Sequence, residues 1–165
     1  NPHPTRRPMT ETARIIDQLR RAHEGEAWHG PSLREALDGV TAAEAAARPV
    51  PGAHSIREIV AHLAAWEDTL RRRLAGEPLR EPEERDWPDG DGSDEEWQGL
   101  LRRLDERHRR LRDAVARLDD AGLDEAPYRG ASTRYVTLHG AIQHTLYHAG
   151  QIVLLKKAAR AGRAA

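Results

Sequence analysis

The 165-residue sequence contains no cysteine. That absence rules out disulfide bridges, a thiolate nucleophile and sulfur ligands from the protein itself, so a metal site here must use histidine and carboxylates. Phenylalanine is absent too, which leaves Leu, Ile, Val and Ala, helped by four tryptophans, to pack the core. No apolar run approaches the roughly 20 residues that span a bilayer, and the basic start, Asn1 to Met9, is not followed by a hydrophobic segment. Neither a membrane span nor an export signal is expected, and the cytoplasm is the default location. Lysine is confined to Lys156 and Lys157. The basic residues are otherwise arginines, and 26 basic against 27 acidic side chains leave a net charge of -1. From Arg102 to Arg117 the arginines alternate with Glu, Asp and Leu, as on the solvated side of a helix, rather than clustering with aromatics as a nucleic-acid footprint would. No nucleic-acid partner is expected.

What is present is helical periodicity. Ile15, Ile16, Leu19 and Ala22 mark a first helix from about Thr10 to His23. Short helical turns follow at Gly30-Pro31-Ser32 and at Thr41, which forms a capping box with Glu44. Ser55 and Glu58 open a second long helix that passes through Val60, Leu63 and Leu70 and stops at Gly76 and Pro78. The segment from Glu77 to Gly92 is rich in proline, glycine and acid and reads as an exposed connection. Ser93 and Glu96 form another expected capping box, ahead of a helix with Trp97, Leu100, Leu104, Leu111 and Val115 on one side. Asp119, Asp120 and Gly122 end it, and a loop from Leu123 to Thr133 leads to a last helix carrying Leu138, Ala141, Ala149, Ile152 and Val153. The expected fold is all-α, a four-helix bundle with long connections and short extra helical turns. Its expected organisation is a flexible N-terminal extension over 1–11, one bundle over 12–159 and a C-terminal tail over 160–165.

The histidines carry the chemistry. His144 and His148 stand four apart on one helix face, at the edge of its apolar stripe, so their rings can meet at one ion. Thr145 occupies the place of the general-base Glu of zincins, so this is not that motif. His62 lies just off the apolar stripe of the second long helix. Two imidazoles from one helix and one from a facing helix leave coordination positions open for water or substrate. Trp66, Tyr147 and Gln151 fall near these ligands by helical spacing and are the expected substrate-pocket residues. His108 sits on the apolar stripe between Leu104 and Leu111 and reads as a hydrogen-bonded core histidine. Glu67 reads as a peripheral side chain that snorkels to water, although it falls near the middle of its helix's apolar stripe. His139 points away from the His144 and His148 face, while His3, His23 and His29 belong to the terminus or a connector; none of the four is an expected ligand. His54, just ahead of the Ser55 cap, has no assigned role.

Two segments resemble the DinB-like superfamily of bacterial four-helix bundles, which includes the YfiT-type thiol S-transferases. "HSIREIVAHLAAWE" (54–67) is similar to that family's second helix, and "LHGAIQHTLYHAGQIVLLKK" (138–157) to its fourth, where two histidines are followed at once by "AGQI". The resemblance runs from about residue 12 to 159. It implies one divalent metal ion per chain, zinc or nickel, on a triad that matches His62, His144 and His148. It further implies transfer of a small-molecule thiol onto an electrophile, for which the absence of protein cysteine suits a thiol supplied as cosubstrate. No motif in the sequence fixes which thiol or electrophile is used. A metal-dependent hydrolase, a non-catalytic metal-binding or stress-response bundle, and assembly as a homodimer stay open.

Overall fold

The computed structural model describes residues 9–162, and within them it has seven helices and no strand. In chain order they are α1 (Glu11–Glu24), α2 (Leu33–Leu37), α3 (Ala42–Ala46), α4 (Ile56–Leu74), α5 (Asp94–Val115), α6 (Asp120–Leu123) and α7 (Arg134–Ala161). The four long helices are the four expected, α2 and α3 are the short turns, and α6 is an extra turn formed by the residues expected only to stop the third long helix. The extension expected over 1–11 lies outside the described residues except for Met9, Thr10 and Glu11, and Glu11 already belongs to α1. Of the tail expected from 160, Arg160 and Ala161 continue α7, with the Arg160 guanidinium 3.0 Å from Glu44, and 163–165 lie outside the described residues. No described helix is long and apolar enough to cross a membrane.

Every helix begins where a short polar side chain accepts a backbone N–H three residues on, at Thr10, Ser32, Thr41, Ser55, Ser93, Asp119 and Thr133. The reciprocal half of the capping box is present at Ser32, Thr41 and Ser55. It is missing at Ser93, contrary to the sequence reading. The Glu96 carboxylate instead accepts from the Gly92 N–H at 2.9 Å and pairs with Arg57 at 3.2 Å, while Asp91 takes the Ser93 N–H. Glu96 is thus spent on joining α5 to α4.

The bundle interior is divided. One apolar cluster joins α2, α3, the first half of α4, the first turns of α5 and the last turns of α7, from Leu33 and Val60 to Trp97, Leu104, Ile152 and Leu155. A second cluster joins α1, the end of α4, the end of α5 and the start of α7, through Ile15, Leu70, Leu111, Val115 and Leu138. Chain direction follows from this division. Helices α4 and α5 both run from the first cluster to the second and are parallel, whereas α7 runs the other way. Two parallel neighbours need a crossover the length of the bundle, and 75–93 supplies it. Helix α4 is the central element, with 14 of its 19 residues buried.

Between the clusters the helix interfaces turn polar. His23, His62, Glu67, His108, Thr145 and His148 are all buried at this level. Leu111, wholly buried in the second cluster, should lose about 2–5 kcal/mol on truncation to Ala, through lost contacts and the cavity left behind. Ser55→Ala should cost about 1 kcal/mol by removing the α4 cap. Urea unfolding followed by circular dichroism measures both, and the expected order is Leu111→Ala well below Ser55→Ala in stability.

Candidate metal centre

Helix α7 carries His144 and His148 one turn apart, and α4, antiparallel to it, presents His62 to them. The His62 Nε2 lies 3.0 Å from His144 Nε2, and His148 Nε2 lies 3.1 Å from the same atom. The rings meet edge-on, at 67° for His62 and His144, 68° for His62 and His148 and 82° for His144 and His148. Lone pairs lie in ring planes, so rings set at such angles direct them to a common point.

Neighbours of the outer nitrogens decide which nitrogen is free. The Nδ1 of His62 is 2.5 Å from Asp86 Oδ1, and a carboxylate only accepts, so Nδ1 carries the hydrogen and Nε2 keeps its lone pair. His148 Nδ1 is 2.6 Å from the amide oxygen of Gln151, with the same consequence. Two of the three inner nitrogens are thereby fixed as acceptors that both face His144 Nε2, whose one hydrogen cannot serve both well, an arrangement that suits a cation. Burial lowers the pKa of all three imidazoles and takes His144 down to about 4, where the charges of His148 and His62 add to the effect. Asp86 partly opposes the shift at His62, and Gln151 does so at His148. At neutral pH the triad therefore offers unprotonated nitrogens, the form that binds a metal. The donor set and its spacing fit a divalent ion of the zinc or nickel kind.

The crossover contributes more than an exposed connection would. Half-buried Asp86 orients His62, and Trp87 stacks on the His62 ring at 4.2 Å and 4°, with His54 stacked on Trp87 in turn at 3.5 Å. The segment is pinned by Arg57, buried in α4, which donates to the Pro88 carbonyl at 2.7 Å and pairs with Glu96. Gly90 passes so close to this pair that any Cβ there would collide with the Glu96 carboxylate and the Arg57 guanidinium. Asp86 and Trp87 were not foreseeable from helical spacing, since they come from a loop; a Pro- and Gly-rich stretch with a lone tryptophan was the one available sign.

The residues expected around the ligands divide. Trp66 and His144 line a groove of about 330 Å³ with Leu70, Arg73, Thr137 and Ala141. Gln151 is a partner of His148, as above, and lines a separate apolar groove with Val50, His54 and Leu154. Tyr147 is 65% exposed, touches the His148 ring from outside at 5.2 Å and does not wall the Trp66 groove. Two expectations elsewhere are overturned. Glu67 does not snorkel, being only 4% exposed and 3.0 Å from His108 Nδ1, because its α4 position faces α1 and α5 at the polar level. His23 does not belong to a connector: it lies in the last turn of α1 and is buried, 2.9 Å from Asp105. His108 is a core histidine with a hydrogen bond, as read from the sequence.

A sequence model of the DinB superfamily matches residues 27–152. No curated protein matches the chain in sequence. Among solved structures, a conserved protein from Enterococcus faecalis superposes with a TM-score of 0.65 at 22% identity, covering 93% of this chain and 99% of that one. That likeness concerns the fold.

Two predictions follow from the geometry. His62→Ala, His144→Ala and His148→Ala should each abolish tight metal binding, Asp86→Asn should weaken it about 10- to 100-fold, and His29→Ala and His139→Ala should leave it intact. Metal analysis of untagged protein, with a competing chelator, reads all six. In metal-stripped protein, an unfolded imidazole takes a proton near pH 6.5 but the folded His144 does so only near 4. Between those values the unfolded chain binds more protons, so acid favours unfolding. The thermal midpoint of the stripped protein should fall as pH is lowered from about 6.5 to about 4, and a flat profile would contradict the burial of neutral imidazoles.

Proposed function

The chain belongs to the DinB superfamily, and from that premise we propose that it is a metal-dependent transferase that joins a low-molecular-weight thiol to an electrophilic substrate. The observation that supports this reading is the pairing of three neutral, pre-oriented imidazoles with an adjoining groove. The groove has an apolar wall of Trp66, Leu70 and Ala141 beside His144. A divalent cation held by three imidazoles keeps a position for an outside ligand and supplies positive charge that favours the ionised form of a small thiol at neutral pH.

The protein's own residues do the rest by position. Asp86 and Gln151 hold the His62 and His148 rings in register. Trp66 presents its face to the groove and limits how a substrate can approach His144, their rings lying 6.1 Å apart. The Arg73 guanidinium lies 5.2 Å over the Trp66 ring and marks the polar end of the same groove. In this reading the sulfur would displace a leaving group from a carbon placed along Trp66: the sulfur–carbon bond forms as the carbon–leaving-group bond breaks, the leaving group departs with that electron pair, and the thiol proton passes to solvent. Zinc or nickel would serve equally by donor type, and glutathione, bacillithiol and mycothiol are the thiols to test.

The experiment is thiol consumption with a generic electrophile, with and without chelator, together with the spectrum of cobalt-substituted protein. A sulfur ligand from the added thiol should alter that spectrum. Trp66→Ala should change turnover severalfold at unchanged metal content, because Trp66 shapes the groove without being a ligand. If no thiol perturbs the spectrum and none is consumed, the transferase reading fails. Ester or amide turnover would then favour a hydrolase, and inertness toward all of these a non-catalytic metal-binding bundle.

A further inference from the structure

We propose that His23, Glu67 and His108 form a second, weaker divalent-cation site inside the bundle, distinct from the triad. The three side chains come from α1, α4 and α5 and are 1%, 4% and 2% exposed. Glu67 is five positions beyond His62 on α4, about 140° around the helix, so it faces α1 and α5 while His62 faces α7.

Spacing comes first. Glu67 Oε1 is 3.0 Å from His108 Nδ1 and 3.9 Å from His23 Nδ1, and one ligand atom from each of the three residues lies within 4.8 Å of the others. A tetrahedral ion with bonds of about 2.0–2.1 Å has donors about 3.3–3.4 Å apart, so small side-chain shifts suffice. The second observation is what these groups lack. His23 Nδ1, Glu67 Oε2 and His108 Nε2 are all buried without a hydrogen-bond partner. Three orphaned polar atoms in one small cluster are costly in a protein interior, and a bound cation would draw on the free nitrogen of His23 and the second carboxylate oxygen.

The surroundings complete the arrangement. His23 Nε2 donates to Asp105 at 2.9 Å, and Asp105 is held in place by Arg34 at 3.1 Å. The carboxylate fixes the His23 tautomer with Nδ1 bare, as Asp86 does with the Nε2 of His62. A groove of about 500 Å³, lined by His23, Leu33, Arg34 and Asp105 among others, leads from the surface to this ring. The donor set of two imidazoles and one carboxylate suits zinc and similar borderline ions better than magnesium or calcium. Its weakness relative to the triad follows from ring orientation. His23 and His108 are stacked at 3.9 Å and 9°, and the His108 Nδ1 carries the hydrogen that Glu67 accepts, so the His108 ring must turn or change tautomer before both lone pairs meet at one ion.

Titration of metal-stripped, untagged protein with zinc ions against a chromophoric chelator tests the site. Two equivalents are expected, the second at least tenfold weaker than the first. Glu67→Gln should remove the weaker equivalent alone, and His144→Ala the tighter one alone. Asp105→Asn, at a half-exposed position outside the donor set, should weaken the second equivalent by about tenfold or more. A single equivalent in the unmodified protein overturns the proposal, as does a second equivalent that survives Glu67→Gln. Should Glu67→Gln fail to fold, an unchanged second equivalent in Asp105→Asn overturns it as well.

Discussion

The rest of the structure depends on one constraint: a layer of ionisable side chains crosses the bundle between two apolar clusters and must be satisfied without water. Apolar packing on either side excludes solvent from the level of His23, His62, Glu67, His108 and His148. Groups in that position either stay neutral, pair, or hold a cation. Burial holds the triad imidazoles in the first course by lowering their pKa values, and their spacing is compatible with the third. The two apolar clusters contain none of these histidines, so the layer is bounded by aliphatic packing on both sides.

Topology determines how the site is finished. Because α4 and α5 run parallel, the chain must travel the length of the bundle between them, and the crossover passes the level of His62 on its way. The Arg57 pairing with Glu96 and the Pro88 carbonyl, with no room for a side chain at Gly90, holds it there. A loop that would otherwise be a mobile surface segment thereby supplies the carboxylate that sets the His62 tautomer and the indole that covers the ring. The arrangement joins the energetics of one buried arginine to the orientation of a ligand on the same helix, one face away.

The helices and the triad were legible in the sequence because both follow a 3.6-residue period. His144 and His148 share a face by spacing alone, and the capping residues at Ser32, Thr41 and Ser55 announce their helices locally. Asp86 and Trp87 were not legible, since a loop has no period and its path is set by the parallel order of α4 and α5, a long-range property. Glu67 shows a different failure. Its place near the middle of the α4 stripe pointed inward, yet a carboxylate there looked too costly to bury; the answer came from His108, itself correctly read as a core histidine, 41 residues away. Ser93 failed for a related reason: Glu96 had a better use across the helix interface than in its own cap.

The two histidine clusters show how orientation separates chemistry among the same residue types. In the triad, Asp86 and Gln151 grip the outer nitrogens of rings that meet at 67° to 82°, so the inner lone pairs converge before anything binds and little needs to move. Around Glu67 the two rings lie parallel, and their stacking competes with convergence. An ion at the Glu67 cluster would have to break that stack, whereas one at the triad would replace the contacts of His62 and His148 with His144. Pre-orientation therefore favours the triad as the tighter of the two proposed sites. It also separates the two clusters as proposed sites: the triad has converging nitrogens beside a groove walled by Trp66, Leu70 and Ala141, whereas the side chains of the Glu67 cluster are buried between three helices.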